Sequence, residues 1–575
     1  MKHADFTIIH ANSSINFGIW VLGSFCVWSF LSIAFVLVFH AQEKTIFAWD
    51  WDNWPGKFRL LINTWNDEGS RSVIRKLLDS LENDYTLLPS FLLLPLGLVF
   101  GGGREVYLAG VASIYGFVAI AATIGLFLIL CRHGGCCLDR LECCVAVISV
   151  AIMPLFWGPI LRGFPDVFCM GIISGILCAH LLEPLWERPV WHLIILGVVI
   201  AGLAWFRRWT PYFVVAMIFS VIFDFVLVIR SHKLHWKIIN PLALRGTIAL
   251  GTAACILLAI SPDRWLSNLL IWRGDLYSSY RFAFWGDIAL TYYHYIGMMT
   301  LGIFGLGCFS SLPMWGLRGV GFVGVYLVSY FLLYQSTANF GPSHLYGILP
   351  AIFAFVLVGV IFLVRWIQFH SNQKIAAVSV VSLLGFQFAT VTTPLVWRNV
   401  GSLRAIFSEA ILPEQRHDLK EIRRLLETLK EQSNRDEKIY VLSSSYILNS
   451  DILKNAGNQW GYGRDLTRKI LTTHDVDSRD GFPARFFSAT LIVVAAPFQF
   501  HLPLPSEQRN VSLLFEKISN DIGFRSGFEQ LEPVFNLDDK VKVSIYRLKR
   551  LFEPTAIQLL RTEYNQKKYA DWKSR

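Results

Sequence analysis

Apolar runs of roughly 17 to 25 residues recur from Ile15 to Val396, each long enough to cross about 30 Å of hydrocarbon as a helix. No other feature limits the fold as strongly, because a segment of that kind satisfies its backbone internally and is stable in lipid only as helix. Their spacing predicts about eleven spans, near residues 15–40, 106–131, 141–161, 166–184, 190–206, 210–229, 246–261, 297–311, 319–336, 345–364 and 375–396. The first run is too long for the apolar part of a cleavable signal peptide, so it is expected to stay as an anchor. Charge is scarce to match: 16% of residues are charged and 54% hydrophobic, where a soluble domain carries about a quarter charged.

From about Arg398 the character changes. The expected organisation is a membrane all-α domain over residues 1–397, with interfacial helices in its first outer loop, and a soluble α/β domain over 398–575. In the tail, a helix is predicted near 413–432, strands at KIYVLSS, TLIVVAAP and VKVSIYRLKR, and a helix near 505–520. All ten cysteines lie at or before Cys308, so the tail folds without disulfides. The doublets Cys136, Cys137 and Cys143, Cys144 lack a standard zinc spacing and read as apolar filler or lipidation sites.

The net charge of +10 reads as membrane topology rather than nucleic-acid binding, because the basic residues sit in short loops and in the tail. The run LLPSFLLLPLGLVFGGG at 87–103 is short and broken by proline and glycine. Taken as interfacial or re-entrant, it leaves CRHGGCCLDR, RSHKLHWKIINPLALR and VRWIQFHSNQK in the cytoplasm, as the positive-inside rule requires. The loops at 41–105, 162–166, 207–209, 262–296 and 337–344 then share the outer face with the tail.

Those outer loops carry the candidate chemistry. FAWDWDN places Asp50 and Asp52 just beyond the first span, where an acid is paired, hydrated or employed. Its continuation, KFRLLINTWNDEGSRSVIRKLLDSLEND, has helical apolar spacing and suits a helix in the interface. Glu82 and Asp84 form a second acidic point, and Asp166 in RGFPDVF either caps a helix or works in a site. Arg207 and Arg208 lie against the topological bias and suit a phosphate, or snorkel to headgroups. Arg264, Arg273, Arg281 and His294 stand among aromatics in the loop at 262–296, which suits either a polyprenyl phosphate or an amphipathic belt. His344 in NFGPSHLYGILP can bind metal or phosphate, or face water. THDVDSRD in the tail reads as a solvated loop rather than a metal site.

In its order of features the chain resembles the GT-C glycosyltransferases, integral-membrane enzymes that use lipid-phosphate sugars and include protein O-mannosyltransferases and lipid A aminoarabinose transferases. The likeness runs over residues 15 to 400, through FAWDWDN, NDYTLLPSFLLLPLGLVFGG, RGFPD and SHLYGILP. It implies a GT-C-like fold and an inverting transfer of sugar from a polyprenyl-phosphate donor to a glycan or lipid acceptor. An aspartate after the first span serves the acceptor, here Asp50 or Asp52. Asp84, with Glu82 beside it, and Asp166 serve the donor or a divalent metal ion, with no organic cofactor. Asp-Trp-Asp replaces the aspartate-glutamate pair of the mannosyltransferases, which leaves both the base and metal dependence open. The implied location is a bacterial inner membrane, with the site and tail in the periplasm. An O-antigen polymerase or ligase would rest instead on arginines and a histidine in a late loop. A transporter or flippase would show repeats and midplane acids, whereas the acids here read as lying at span ends.

Overall fold

The computed structural model describes residues 12–232, 239–270, 278–280, 285–336, 341–502 and 507–573. The first span, α1 (Asn12–Ala41), is apolar all round and leaves Trp20 and Phe30 on the lipid-facing surface. After a short extended strap come α2 (Asp50–Glu68) and α3 (Ser70–Ser80), parted at Gly69, whose φ of 83° suits glycine. Both are too polar to cross a membrane. On α2, Trp54, Phe58, Leu61 and Ile62 make one buried face, which is the amphipathic form expected of the first outer loop.

The run at 87–103 forms two short helices, α4 (Leu88–Phe91) and α5 (Leu94–Phe100), each with proline in its first turn. It folds back on α2, where Gly97 lies so close to Phe58 and Ile62 that a side chain there would collide with both. It is not a span-length helix.

The bundle continues through α6 (Arg104–His133), α7 (Arg140–Leu161), α8 (Val167–Leu182), α9 (Val190–Phe206), α10 (Pro211–His232) and α11 (Ile239–Ile260). Then follow α12 (Pro262–Leu270), α13 (Trp285–Ile296), α14 (Met298–Gln335), α15 (Leu349–His370) and α16 (Gln373–Thr392). Among the described residues, eight helices are long and apolar enough to cross a membrane, and α8 and α9 are shorter apolar helices. One of the eight, the 38-residue α14, breaks at Gly316 (φ 67°, ψ 170°). Its two ends meet, since Gln335 donates to the hydroxyl of Tyr292 at 3.0 Å, just before Met298. α14 is therefore a hairpin of two spans, and the eleven apolar segments of the sequence are all present as helix.

At the centre, α15 is buried on nearly every side from Leu349 to Ile361. It crosses α14 with backbones in contact: a Cβ on Gly307 would fall on the Phe355 carbonyl, and one on Gly359 on the Ile303 carbonyl. Away from the loops described below, Asp224 of α10 accepts from Arg318 at 2.5 and 2.8 Å and pairs with His180 at 3.1 Å. This acid lies inside an apolar helix, which corrects the reading that acids occur only at span ends. Its charge is matched on the spot by the arginine, as an intramembrane acid requires.

The tail is a three-layer α/β unit. It contains α17 (Leu419–Gln432), β1 (Ile439–Leu442), α18 (Ser450–Gln459), β2 (Leu491–Ala496), α19 (Arg509–Asn520), β3 (Phe528–Asn536), β4 (Lys542–Leu548) and α20 (Pro554–Lys573). The strand order is β1-β2-β4-β3, with β1 parallel to β2 and the other pairs antiparallel. In β1, Ile439 and Val441 face the core shared with α17 and α18, while Tyr440 and Leu442 face that of α19. The first of these cores also contains Ile46 and Ala48, from the strap after α1. The α/β unit thus includes a piece of the loop after α1 as well as residues beyond 398.

Because the α14 and α15 backbones touch, Gly307→Leu or Gly359→Leu forces the helices apart, at a cost of about 1–3 kcal/mol or more. Gly305→Leu, where a Cβ meets nothing within 4 Å, is expected to be neutral. Melting temperature and monodisperse yield in detergent distinguish the two classes of variant.

Candidate active site

The acids of FAWDWDN stand where two bodies meet. Ile46 and Ala48 are buried in the tail, Asn455 donates to the Phe47 carbonyl at 2.7 Å, and Lys44 bridges to Gln415. The next residue, Trp49, has φ 50° and ψ −134°, a conformation that costs a non-glycine residue about 1–3 kcal/mol. Tyr446 and His501 of the tail pack on its indole, with ring centroids 4.8 and 4.9 Å away. Asp50 follows as the first residue of α2, where the positive end of the helix dipole favours a carboxylate.

Residues two apart on a helix do not share a face, and the two aspartates diverge accordingly. Asp52 lies 3.7 Å from Arg59 and near Arg104; burial raises its pKa, while the two arginines pull it back. Asp50 turns the other way, accepting a long 3.4 Å hydrogen bond from the Tyr85 hydroxyl. Its charge acts on Lys57, Asp166, Arg207 and Tyr446.

Around Tyr85 the cations collect. Arg207 is buried and donates through Nε to Asp166 at 2.7 Å, and the Trp209 indole N–H donates to the same oxygen at 2.6 Å. Burial pushes the Asp166 pKa up, and the arginine and indole hold it back. Asp166 makes no cap bond to α8, so of its two readings capping is set aside, and the burial of Arg207 sets aside snorkelling. Arg208 donates to Asp84 at 3.3 Å and to the Tyr85 hydroxyl at 3.2 Å, with its guanidinium 4.9 Å from that ring. Lys57 donates to the Tyr85 carbonyl and lies over Trp54 and Tyr85. Burial and then Arg207 bring its pKa down to about 8, against the pull of Asp50. His344 is pushed well below the usual histidine range by burial and then by Arg207 and Arg208. Its Nδ1 accepts from the Gly341 N–H at 3.2 Å, so the ring is neutral with its proton on Nε2.

Of the residues singled out from the sequence, Asp50, Asp84, Asp166, Arg207, Arg208 and His344 come together. Glu82 does not: it is exposed and accepts from the Arg264 backbone N–H at 3.3 Å. Arg264 is buried against the Leu81 carbonyl at 3.0 Å, and His294 is exposed on α13. Arg273 and Arg281 lie outside the described residues. Sequence reasoning missed Lys57, Tyr85 and Tyr446. Lys57 had a signal, since it stands seven residues after Asp50 and so on the same helix face.

The acids do not gather as metal ligands. Asp84 and Asp166 each face an arginine, and among the described residues no group of three His, Cys, Asp or Glu could hold a metal. THDVDSRD is not the solvated loop expected. Asp477 is buried and accepts from the N–H groups of Arg509 and Asn510 at 2.9 and 2.8 Å, capping α19 from a distance. Asp480 accepts from the N–H groups of Asp475 and Val476 at 3.0 and 3.1 Å.

The result is a carboxylate, Asp50, that shares one tyrosine with a cation cluster. Such a site can hold an anionic phosphate while a base acts beside it.

No family model matches the chain, and no curated protein matches it. Among solved structures, ArnT from Cupriavidus metallidurans bound to undecaprenyl phosphate aligns at 11% identity and a TM-score of 0.46, over 94% of this chain and 99% of that one. The apo structure of the same protein aligns at 10% identity and a TM-score of 0.45, over 94% of this chain and 100% of that one.

Since the lowered Lys57 pKa puts its cation below about pH 8, that charge is present at pH 7 and lost as pH rises through 8. Affinity for a phosphate-bearing ligand, measured by calorimetry, is expected to weaken by up to about tenfold per pH unit on the alkaline side. Lys57→Arg flattens that limb.

Proposed function

We propose that this chain is a membrane glycosyltransferase that moves a sugar from a polyprenyl-phosphate donor to a glycan or lipid acceptor of the cell envelope. The observation that carries the reading is the position of Asp50, one tyrosine away from Lys57, Arg207 and Arg208. Lys57 and Arg208 hold the donor phosphate, and Arg207, already matched by Asp166, adds its field from below. Asp50 accepts the proton of the acceptor hydroxyl as that oxygen attacks the anomeric carbon. The bond from the anomeric carbon to the phosphate oxygen breaks, its electron pair leaves with the phosphate, and configuration inverts.

Negative charge grows on the leaving phosphate during this step, so the fixed cations favour the transition state over the bound donor. His344, neutral with an Nε2 proton, can donate a hydrogen bond without adding charge. In this reading the protein lies in a bacterial inner membrane, with this face and the tail in the periplasm. No step is assigned to a metal.

The test is sugar transfer in detergent from a panel of radiolabelled polyprenyl-phosphate sugars to a crude acceptor extract. Asp50→Asn is expected to lose about 10²- to 10⁴-fold in turnover, with donor affinity and melting temperature unchanged. Asp52→Asn, which faces Arg59 and Arg104, is expected to keep most of its turnover. Wild-type turnover in Asp50→Asn refutes the assignment of the base.

A further inference from the structure

A cleft lies in the membrane part, away from Asp50. α10 packs chiefly on α14, and α11 on α9, so the two helices of this connected pair part along their lengths. The cleft between them has a volume of about 880 Å³ and apolar walls that include Phe213, Met217, Val221 and Leu250. Arg230 and Arg245 also line it, and these are its charged residues.

Their place along the helices is informative. α10 starts at Pro211, next to the Arg207 and Arg208 turn, and Arg230 comes about 28 Å further along the helix axis. α11 runs back, with Arg245 near its start and its end leading to Arg264, which is tied to Leu81. Both arginines therefore lie at the end of the cleft remote from the candidate active site, near the opposite membrane surface.

Among the described residues, neither Arg230 nor Arg245 has an ion-pair or hydrogen-bond partner. The nearby acids are engaged elsewhere. Asp224 is held by Arg318 and His180, Glu187 acts on Arg318, and Glu183 lies against His192 and Arg188. A cleft with apolar walls inside the bilayer excludes water and leaves its lining without contacts unless a hydrocarbon chain fills it. Two guanidinium groups at its mouth call for a phosphate at the head of that chain.

We infer that the cleft holds an anionic phospholipid from the leaflet opposite the candidate active site, its acyl chain between α10 and α11 and its phosphate on Arg230 and Arg245. A polyprenyl phosphate serving the reaction needs its phosphate at Lys57 and Arg208, at the other end of α10. The inference does not depend on the proposed activity.

Native mass spectrometry of the full chain in detergent tests it, with phosphatidylglycerol, phosphatidylcholine and a long-chain polyprenyl phosphate as probes. One phosphatidylglycerol is expected to bind in preference to phosphatidylcholine, and any binding of the polyprenyl phosphate at Lys57 and Arg208 is expected not to depend on Arg230 and Arg245. At about one unit of surface attraction per arginine, Arg230→Gln with Arg245→Gln is expected to weaken phosphatidylglycerol binding about 30-fold. Gly246→Leu supplies an independent variant: a Cβ there meets nothing within 4 Å, so the side chain fills the cleft without a clash and displaces the lipid. Equal binding of phosphatidylglycerol and phosphatidylcholine overturns the inference, as does a double variant that binds like wild type. Polyprenyl phosphate binding that is lost in the double variant overturns the choice of occupant.

Discussion

The arrangement of the loops around the candidate active site depends on the ion pair between Arg207 and Asp166. A guanidinium buried at the edge of a membrane is tolerated only if a carboxylate meets it with good geometry, and breaking such a pair leaves an uncompensated charge. Here the pair ties the turn between α9 and α10 to the turn between α7 and α8. Trp209 bonds to the same carboxylate oxygen and fixes the turn from its other side. With Arg207 anchored, its neighbour Arg208 is aimed at Asp84 and Tyr85, and through Tyr85 at Asp50. One buried pair thus orders three loops that are far apart in the chain.

A second set of contacts joins the soluble unit to the same face. Arg162, in the short turn before Asp166, contacts Glu414 at 2.7 Å and donates to the Leu412 carbonyl at 3.1 Å. Its guanidinium lies 4.6 Å from the centre of the Trp51 ring. Arg104 meets the same segment from α6, donating to the Trp51 carbonyl and stacking on Phe47. Planar cations between aromatic rings are well suited to such a junction, because they bind through both edge and face.

Much of this was legible in the sequence, and the rest fails for identifiable reasons. Span-length apolar runs announced the bundle, and even the α14 hairpin appeared as two separate runs. β1 and β2 were visible because they are continuous apolar segments buried on both faces, and β4 because its apolar residues Val543 and Ile545 alternate with polar ones. β3 was not, since FEQLEPVFN sits at the sheet edge with acids and a proline. Arg207, Arg208, Asp84 and Asp166 were recognisable as charges in the wrong surroundings, and His344 as a polar ring at the start of a span. The choice between Asp50 and Asp52 was not recognisable, because spacing says that they diverge but not which face meets the cations. Tyr446 and His501 lay beyond reach for a simpler reason: they are 397 and 452 residues from Trp49, and only the folded tail brings them to it.

The strap before α2 has a consequence for how such a protein can change over time. Ile46 and Ala48 belong to the interior of the tail, whereas Trp54 and Phe58 belong to the interior of the bundle. Between these two interiors stand Trp49, in its uncommon backbone conformation, and Asp50. A tail grafted from another protein would have to accept the same two strap side chains in its core and offer the same rings to Trp49, or it would displace the aspartate. The soluble unit is therefore not an exchangeable module, and the two parts of the chain are bound to be inherited and altered together.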